Sequence, residues 1–343
     1  MYRATNTILT TSVALTLLGC SQLAFAQRAA SAGQGEVPRS ASETQVPAIQ
    51  QEQIAALIRK LSDRDPKVRG EAAGALGDMD AAAGSAVKPL LRHLKDSDPG
   101  VRFFVVWALA HIGQEPKLCV PALLKAMDDR DHDVYIQATM SLAAFPEYAP
   151  RIIPRLLTGL RSNDESRRYC CMVTLGDFGK QAQAAVPLVI AATTDVNLEI
   201  RLNAVYVLGQ IGVYNSEVES ALLACLKPED WLVEDAAAVT LGKIGEASPA
   251  VLHGLAKTFE RPDDTFGAQA AISFALLLDK HVGSRHSLSA EERNWLQHQI
   301  GAAEANIRRH MGLFGNSKTT TEPALKQLER VKKDLEGSTA NGA

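Results

Sequence analysis

Leu76, Leu109, Leu142, Leu175, Leu208 and Leu241 succeed one another at a constant step of 33 in the numbering. A chain that repeats itself at such a period folds as a stack of like units rather than around one closed core. Other columns keep the same register. An acid or amide recurs at Asp65, Asp98, Asp131, Asp164, Asn197 and Asp230. Just after it stand Val68-Arg69, Val101-Arg102, Val134-Tyr135, Arg167-Arg168, Ile200-Arg201 and Val233-Glu234. A seventh, degenerate unit carries Asp263, Ala270 and Leu276.

Each column has a physical role. The Asp or Asn accepts hydrogen bonds from the free amides of a helix start, and its charge suits the positive end of the helix dipole. Val68, Ala72, Leu76 and Met79 then fall on one side at helical spacing and form a core stripe. Gly113, Gly179, Gly212 and Gly245 follow the last apolar residue, where a left-handed cap favours glycine. The first half of each unit has its own stripe, as in Val87-Leu90-Leu91-Leu94 and Ile153-Leu156-Leu157-Leu160. Pro89, Pro121, Pro154 and Pro187 are expected near the starts of these helices, where a missing N–H costs little. The unit is therefore helix A, turn, helix B. Only 5% of the residues are aromatic, which also favours helices over strands.

The strings DRDPKVRGEAAGALGDM (63–79) and DVNLEIRLNAVYVLGQIG (195–212) resemble HEAT repeats, most closely the short kind named after phycobilin lyases. The resemblance runs from about Gln51 to Asp279. It implies an all-α, right-handed superhelical solenoid of about seven helix pairs, with helices A on the convex side and helices B on the concave side. It further implies a buried ladder in which Arg69, Arg102, Arg168 and Arg201 bridge the Asp of a neighbouring unit, drawn from Asp65, Asp98, Asp131 and Asp164. Tyr135 and Glu234 interrupt that ladder, so the third and sixth junctions are expected to be looser or differently angled.

The N-terminus reads as an export signal over residues 1–26. Arg3 precedes an apolar stretch from Ile8 to Leu18, too short to span a bilayer. Ala24-Phe25-Ala26 fits ordinary signal peptidase, whereas Leu17-Leu18-Gly19-Cys20 resembles a bacterial lipobox, which would end the signal at residue 19 and acylate Cys20. Both readings stay open, and both place the protein in the periplasm, on a membrane by its lipid, or outside the cell. Residues 27–48 read as a disordered tether. The formal charge of −3 becomes −4 once Arg3 is removed, and such a chain has no field to attract nucleic acid. A membrane would be met only through Cys20, and the chain is expected to act as a monomer.

The sequence carries no catalytic pattern. Deoxyhypusine hydroxylase shares this repeat and binds iron through His-Glu pairs; none of the eight histidines here precedes a glutamate. No nucleophile elbow, phosphate loop or zinc motif occurs. The expectation is a non-enzymatic chain with no cofactor and no metal. A pigment chaperone or lyase of the phycobilin-lyase kind is the alternative, and an export signal argues against it. Cys119, Cys170, Cys171 and Cys225 read as buried thiols, although a long-range disulfide stays open.

The informative departure lies on the side of helix B away from its core stripe. The first unit presents Gly70, Gly74 and Asp78 there. The next four present Phe103, Trp107 and His111; Ile136, Met140 and Ala144; Tyr169, Val173 and Asp177; and Leu202, Tyr206 and Gln210. The sixth returns to polarity with Asp235, Val239 and Lys243. An apolar, aromatic stripe within a polar rim is the pattern of an interface. Three readings compete: curvature buries the stripe as core, the chain's own ends cover it, or a protein or peptide partner binds it. The solenoid is taken to span 49–282. Residues 283–337 form C-terminal helices, opened by the capping box Ser289-Ala290-Glu291-Glu292 and ending with Leu325, Leu328, Val331 and Leu335 on one side. These either cap the array or bind a partner. Residues 338–343 read as a disordered tail.

Overall fold

The computed structural model describes residues 48–261, 267–284, 288–310 and 317–340. The export signal, Cys20, the tether up to residue 47 and Asp263 lie outside the described residues. Within them, helices pair as A and B: α1 (Ala48–Lys60) with α2 (Pro66–Asp78), α3 (Val87–His93) with α4 (Pro99–Ile112), α5 (Pro116–Ala126) with α6 (His132–Ser141), and α7 (Ala149–Leu160) with α8 (Glu165–Asp177). There follow α9 (Val186–Ala192) with α10 (Leu198–Ile211), α11 (Ser216–Ala224) with α12 (Trp231–Ile244), and α13 (Pro249–Phe259) with α14 (Ala268–Ser284). Two longer helices, α15 (Ala290–His310) and α16 (Ser317–Ala340), complete the described chain.

The caps begin where the columns place them. Asp65, Asp98, Asp131, Asp164 and Asn197 each accept a hydrogen bond from an amide in the first turn of their B helix. Gly113 and Gly212 close α4 and α10 in the left-handed conformation, at φ 61° and 67°. Gly245 does not; its φ of −70° is ordinary extended backbone. In the first unit Asp80 takes the left-handed place, and in the third Pro146 stands there, cannot adopt positive φ, and the chain turns at Phe145 instead. Pro187 lies in the first turn of α9, but Pro121 and Pro154 are inside α5 and α7, because those helices start earlier than expected, at Pro116 and Ala149.

The core runs the length of the array. Leu76, Leu109, Leu142, Leu175, Leu208 and Leu241 are all buried, and Phe274, the next position of the same column, fills the seventh place. Leu276, expected to mark that unit, is instead exposed. Successive B helices touch far more extensively than successive A helices, as the inner side of a curved stack requires. Small residues permit this. A Cβ on Gly77 would lie 2.9 Å from Ala108 Cα, and one on Gly242 would lie 3.1 Å from Ser273 Cα. Thr174 and Thr240 reach back at the same level to the carbonyls of Thr139 and Val205, at 3.5 and 3.3 Å.

The far end is closed by α15 and α16, which pack on α13, on α14 and on each other. Leu296, Ile300, Ala303 and Ile307 of α15 and Ala324, Leu328, Val331 and Leu335 of α16 are buried there, with Leu325 at the margin. Trp295 stacks on His253 with ring centroids 4.0 Å apart, and Asn306 donates to the Phe259 carbonyl at 3.2 Å. The Glu292 amide donates to Ser289 Oγ at 3.1 Å, which starts α15. The last helix is longer than its sequence pattern suggests: residues 338–340, read as tail, belong to α16.

Candidate partner-binding face

The rungs that set the junctions have a different wiring from the expected one. Arg69 donates from Nε and Nη2 to Asp96 at 2.8 and 2.7 Å, and Arg102 does the same to Asp129 at 2.9 and 2.8 Å. Arg168 reaches Asp195 at 3.3 Å. The partner is thus the first Asp of the next unit's D-x-D string, at an offset of 27 in the numbering, and not the capping column. Asp65, Asp98, Asp131 and Asp164 are helix caps, and none is the partner of a ladder arginine. The two carboxylates of the string divide the work: the first also accepts from the amide of the second, as in Asp98 N to Asp96 at 3.0 Å. Burial alone would raise the Asp96 and Asp129 carboxyls. The arginine and amide hydrogen bonds outweigh it and hold both below the usual carboxylate range.

The exceptions follow from which residue stands at that offset. For Arg201 it is Pro228, so the guanidinium takes Asp230 at 2.7 Å, and Asp230 makes no side-chain cap to α12. For Tyr135 it is Ser162, and the phenol donates to Asp164 at 3.1 Å while the Arg167 guanidinium lies 4.3 Å over its ring. At Glu234 the rung is kept with its charges exchanged: buried Glu234 pairs with Arg261, at the same offset of 27. The sixth junction, where Glu234 interrupts the arginine column, is therefore bridged. At the fourth the ion pair is longer, and buried Arg168 Nε has no hydrogen-bond partner among the described residues.

The concave stripe is laid on this frame. Phe103, Trp107, His111, Ile136, Met140, Tyr169, Val173 and Leu202 are all half-buried, and Tyr206 is 46% exposed. Neighbour packing accounts for the partial burial. The Trp107 ring lies on Gly77, where a Cβ would be 2.7 Å from Cε3, and it stacks on His111 with centroids 3.9 Å apart. His111 Nδ1 is 3.0 Å from the Trp107 carbonyl oxygen, which ties the imidazole to its own helix. The floor made by Gly70 and Gly74 carries Phe104, a residue the helical-wheel reading left out, which is 42% exposed and edge-on to Phe103. At the other end the apolar strip does not stop at the fifth unit. Val239 is 39% and Leu276 43% exposed, so it continues along α12 and α14. A glycine floor in the first unit is the signal that could have pointed to Phe104. For Leu276 it is an apolar residue in the column of Asp78.

Asp177 lies at the edge of this strip. Asp177 is an exposed residue, and desolvation by the protein around it pushes its carboxyl up to about 6. The folded pKa is above the usual 3.8, so the folded state holds the extra proton between those values and stability falls as pH rises through that window. Asp177→Asn is expected to raise the melting temperature slightly at pH 7 and to leave it unchanged below about pH 4. Thermal unfolding at the two pH values measures this; a variant destabilised at pH 7 would contradict it.

The described residues contain no group of three His, Cys, Asp or Glu side chains placed to hold a metal, and none of their helices is long and apolar enough to cross a membrane. Cys119, Cys170, Cys171 and Cys225 are buried and free. Burial pushes the Cys119 thiol up to about 11, which keeps it protonated and unreactive. The Cys171 sulfur packs on Gly159 between α7 and α8.

The family model for HEAT repeats matches residues 54–119 and 186–275. No curated protein matches the sequence. Among solved structures, YibA of Escherichia coli aligns at a TM-score of 0.55 and 16% identity, over 82% of this chain and 96% of its own. Yeast importin-β, Kap95p, aligns at 0.52 and 14% identity, over 82% of this chain and 42% of the importin. Kap95 in its complex with Nup1 aligns at 0.53 and 15%, over 83% and 42%. The chain thus spans less than half the length of the importin chains, and at these identities the likeness is one of fold. With its constant register, paired helices and inter-unit rungs, the chain carries HEAT repeats.

Proposed function

We propose that the chain is a non-enzymatic scaffold, exported from the cytoplasm, that holds a protein or peptide partner on its concave face. The observation that carries this reading is the strip of partly exposed apolar and aromatic side chains running from Phe104 through Tyr206 and Val239 to Leu276. Solvent-facing positions of an unpartnered helix are normally polar, and aromatic residues in a shallow apolar track supply binding energy when a partner covers them. The C-terminal helices support the reading, since their apolar faces are spent on α13 and α14 at the end of the array. Kap95, whose fold is similar, is seen in complex with Nup1. Export rests on the signal pattern from Met1 to Ala26, with either cleavage after Ala26 or lipidation at Cys20.

A double variant, Tyr206→Asp with Val239→Asp, tests the face. Both side chains are more than one-third exposed, so the fold is expected to tolerate the change. Used as bait for proteins of the exported compartment, the unaltered chain should retain a discrete partner. The variant should bind it at least about 30-fold more weakly, the loss of one hot spot. Identical retention by both baits, or a metal or coloured ligand that copurifies, would count against the scaffold.

A further inference from the structure

The convex side carries a charge pattern that the concave strip does not explain. The A helices α3, α5 and α7 follow one another in the array and pack side by side. Their sequences, VKPLLRH, PKLCVPALLKA and APRIIPRLLTGL, hold Lys88, Arg92, Lys117, Lys125, Arg151 and Arg155 and no acid. The whole chain has a formal charge of −3, so this excess of one sign is local. It ends abruptly: α9 has no charged residue, and α11 is acidic with Glu217 and Glu219. Arg155 is paired with Asp128. Lys88, Arg92, Lys117, Lys125 and Arg151 are exposed and have no ion-pair partner among the described residues. Glu115 and Glu147 stand in the turns that enter α5 and α7, not on the helices.

The arrangement works against the helices that carry it. Lys88 with Arg92, and Arg151 with Arg155, are like charges at i and i+4, which repel. Lys117 and Arg151 lie in first turns, at the positive end of the helix dipole. A local cost with no return inside the molecule marks a surface that meets something anionic. We propose that this convex face docks on an anionic phospholipid bilayer. A convex stack meets a plane over a few units only, and the cations are confined to three helices. Unpaired, flexible cations spread over rigid helices suit headgroups that move laterally, whereas an acidic protein partner needs carboxylates fixed opposite each cation. Leu118, 40% exposed beside Lys117, and the exposed Pro150 and Pro154 add apolar surface that enters the headgroup layer. The contact is separate from any acyl chain on Cys20 and independent of what fills the concave strip. It turns that strip away from the membrane.

Cosedimentation tests the proposal, with vesicles of phosphatidylglycerol mixed equally with phosphatidylcholine, vesicles of phosphatidylcholine alone, and polyglutamate as a soluble polyanion. Every protein carries Cys20→Ser, so that no acyl chain contributes. Binding to the anionic vesicles is expected to be at least about tenfold tighter than to the neutral ones and to weaken as salt is added. Arg92 and Lys125 occupy the same column of successive units. Arg92→Glu with Lys125→Glu should weaken vesicle binding at least about 25-fold, and Leu118→Ser about threefold. Melting temperatures confirm that these surface variants are folded. Equal affinity for the two kinds of vesicle, or indifference to the charge reversal, overturns the membrane contact. Polyglutamate binding as tight as vesicle binding, with Leu118→Ser without effect, overturns it in favour of an acidic protein partner.

Discussion

Arg102→Ala is expected to cost about 3–5 kcal/mol of stability, more than any other single rung. Arg102 is 5% exposed and its guanidinium makes four hydrogen bonds: two across the junction to Asp129, and two within its own unit to the carbonyls of Asp96 and Ser97 at 2.9 and 3.3 Å. Truncation leaves Asp129 partly buried without its cation and two loop carbonyls without donors. Arg69 and Arg201 make comparable contacts nearer the solvent, so their loss should cost less. Urea unfolding gives the energy, and NMR titration of Asp129 gives the cause. In the intact protein the Asp129 carboxyl is held below 3.8 and stabilises the fold above that pH, a contribution lost as pH falls through the folded value. In the variant the carboxyl should titrate higher, and the deficit should shrink as the pH is lowered below about 4. A loss under about 1 kcal/mol would mean that the rung is an ornament of the surface rather than a strut.

The second large effect is expected at Gly77. Alanine favours a helix over glycine by up to about 1 kcal/mol, yet Gly77→Ala should destabilise by about 1–3 kcal/mol, because its methyl group meets both Trp107 and the Ala108 backbone. Trp107→Ala in the same chain should recover only part of the loss. The side chain can be removed, but Ala108 Cα, 2.9 Å from the added Cβ, cannot give way without moving α4 off α2. Gly301 is the control. Its Cβ would meet nothing within 4 Å on α15, so Gly301→Ala should stabilise by up to about 1 kcal/mol. Thermal melts of the four proteins separate the two contributions. Full rescue by Trp107→Ala would show that the close approach of B helices depends on the indole alone.

The fold was legible because its determinants are local. A helix cap, an apolar stripe and a proline act over short stretches of chain, and a strict period displays each of them several times. What crosses a junction was less legible. D-x-D looks like one motif, and only the folded chain separates Asp96, which receives Arg69, from Asp98, which caps α4. The recurring offset of 27 was present in the numbering, including the exchanged pair of Glu234 and Arg261, but a rung with reversed charge looks like a broken rung when only arginines are counted. Of the candidate face, helical angles put the columns on one side of the B helices. They could not rank exposure, which depends on the neighbouring helix. A glycine floor brings Trp107 down to half-burial, while Val239 and Leu276 stay open to solvent beyond the expected end of the strip.

The reversed rung also limits how such a chain can lengthen or shorten. The junctions from Arg69, Arg102, Arg168 and Arg201 all present a cation to an anion on the next unit. A gene duplication or loss of one whole unit among the first five leaves no like charges facing each other at the new seam. The sixth and seventh units are a matched couple. Deleting the sixth alone would set Arg201 against Arg261, and duplicating it alone would set Glu234 against another anionic loop. The stack is modular at its N-terminal end and keyed at its C-terminal end, so recombination can adjust the reach of the concave track only from one side.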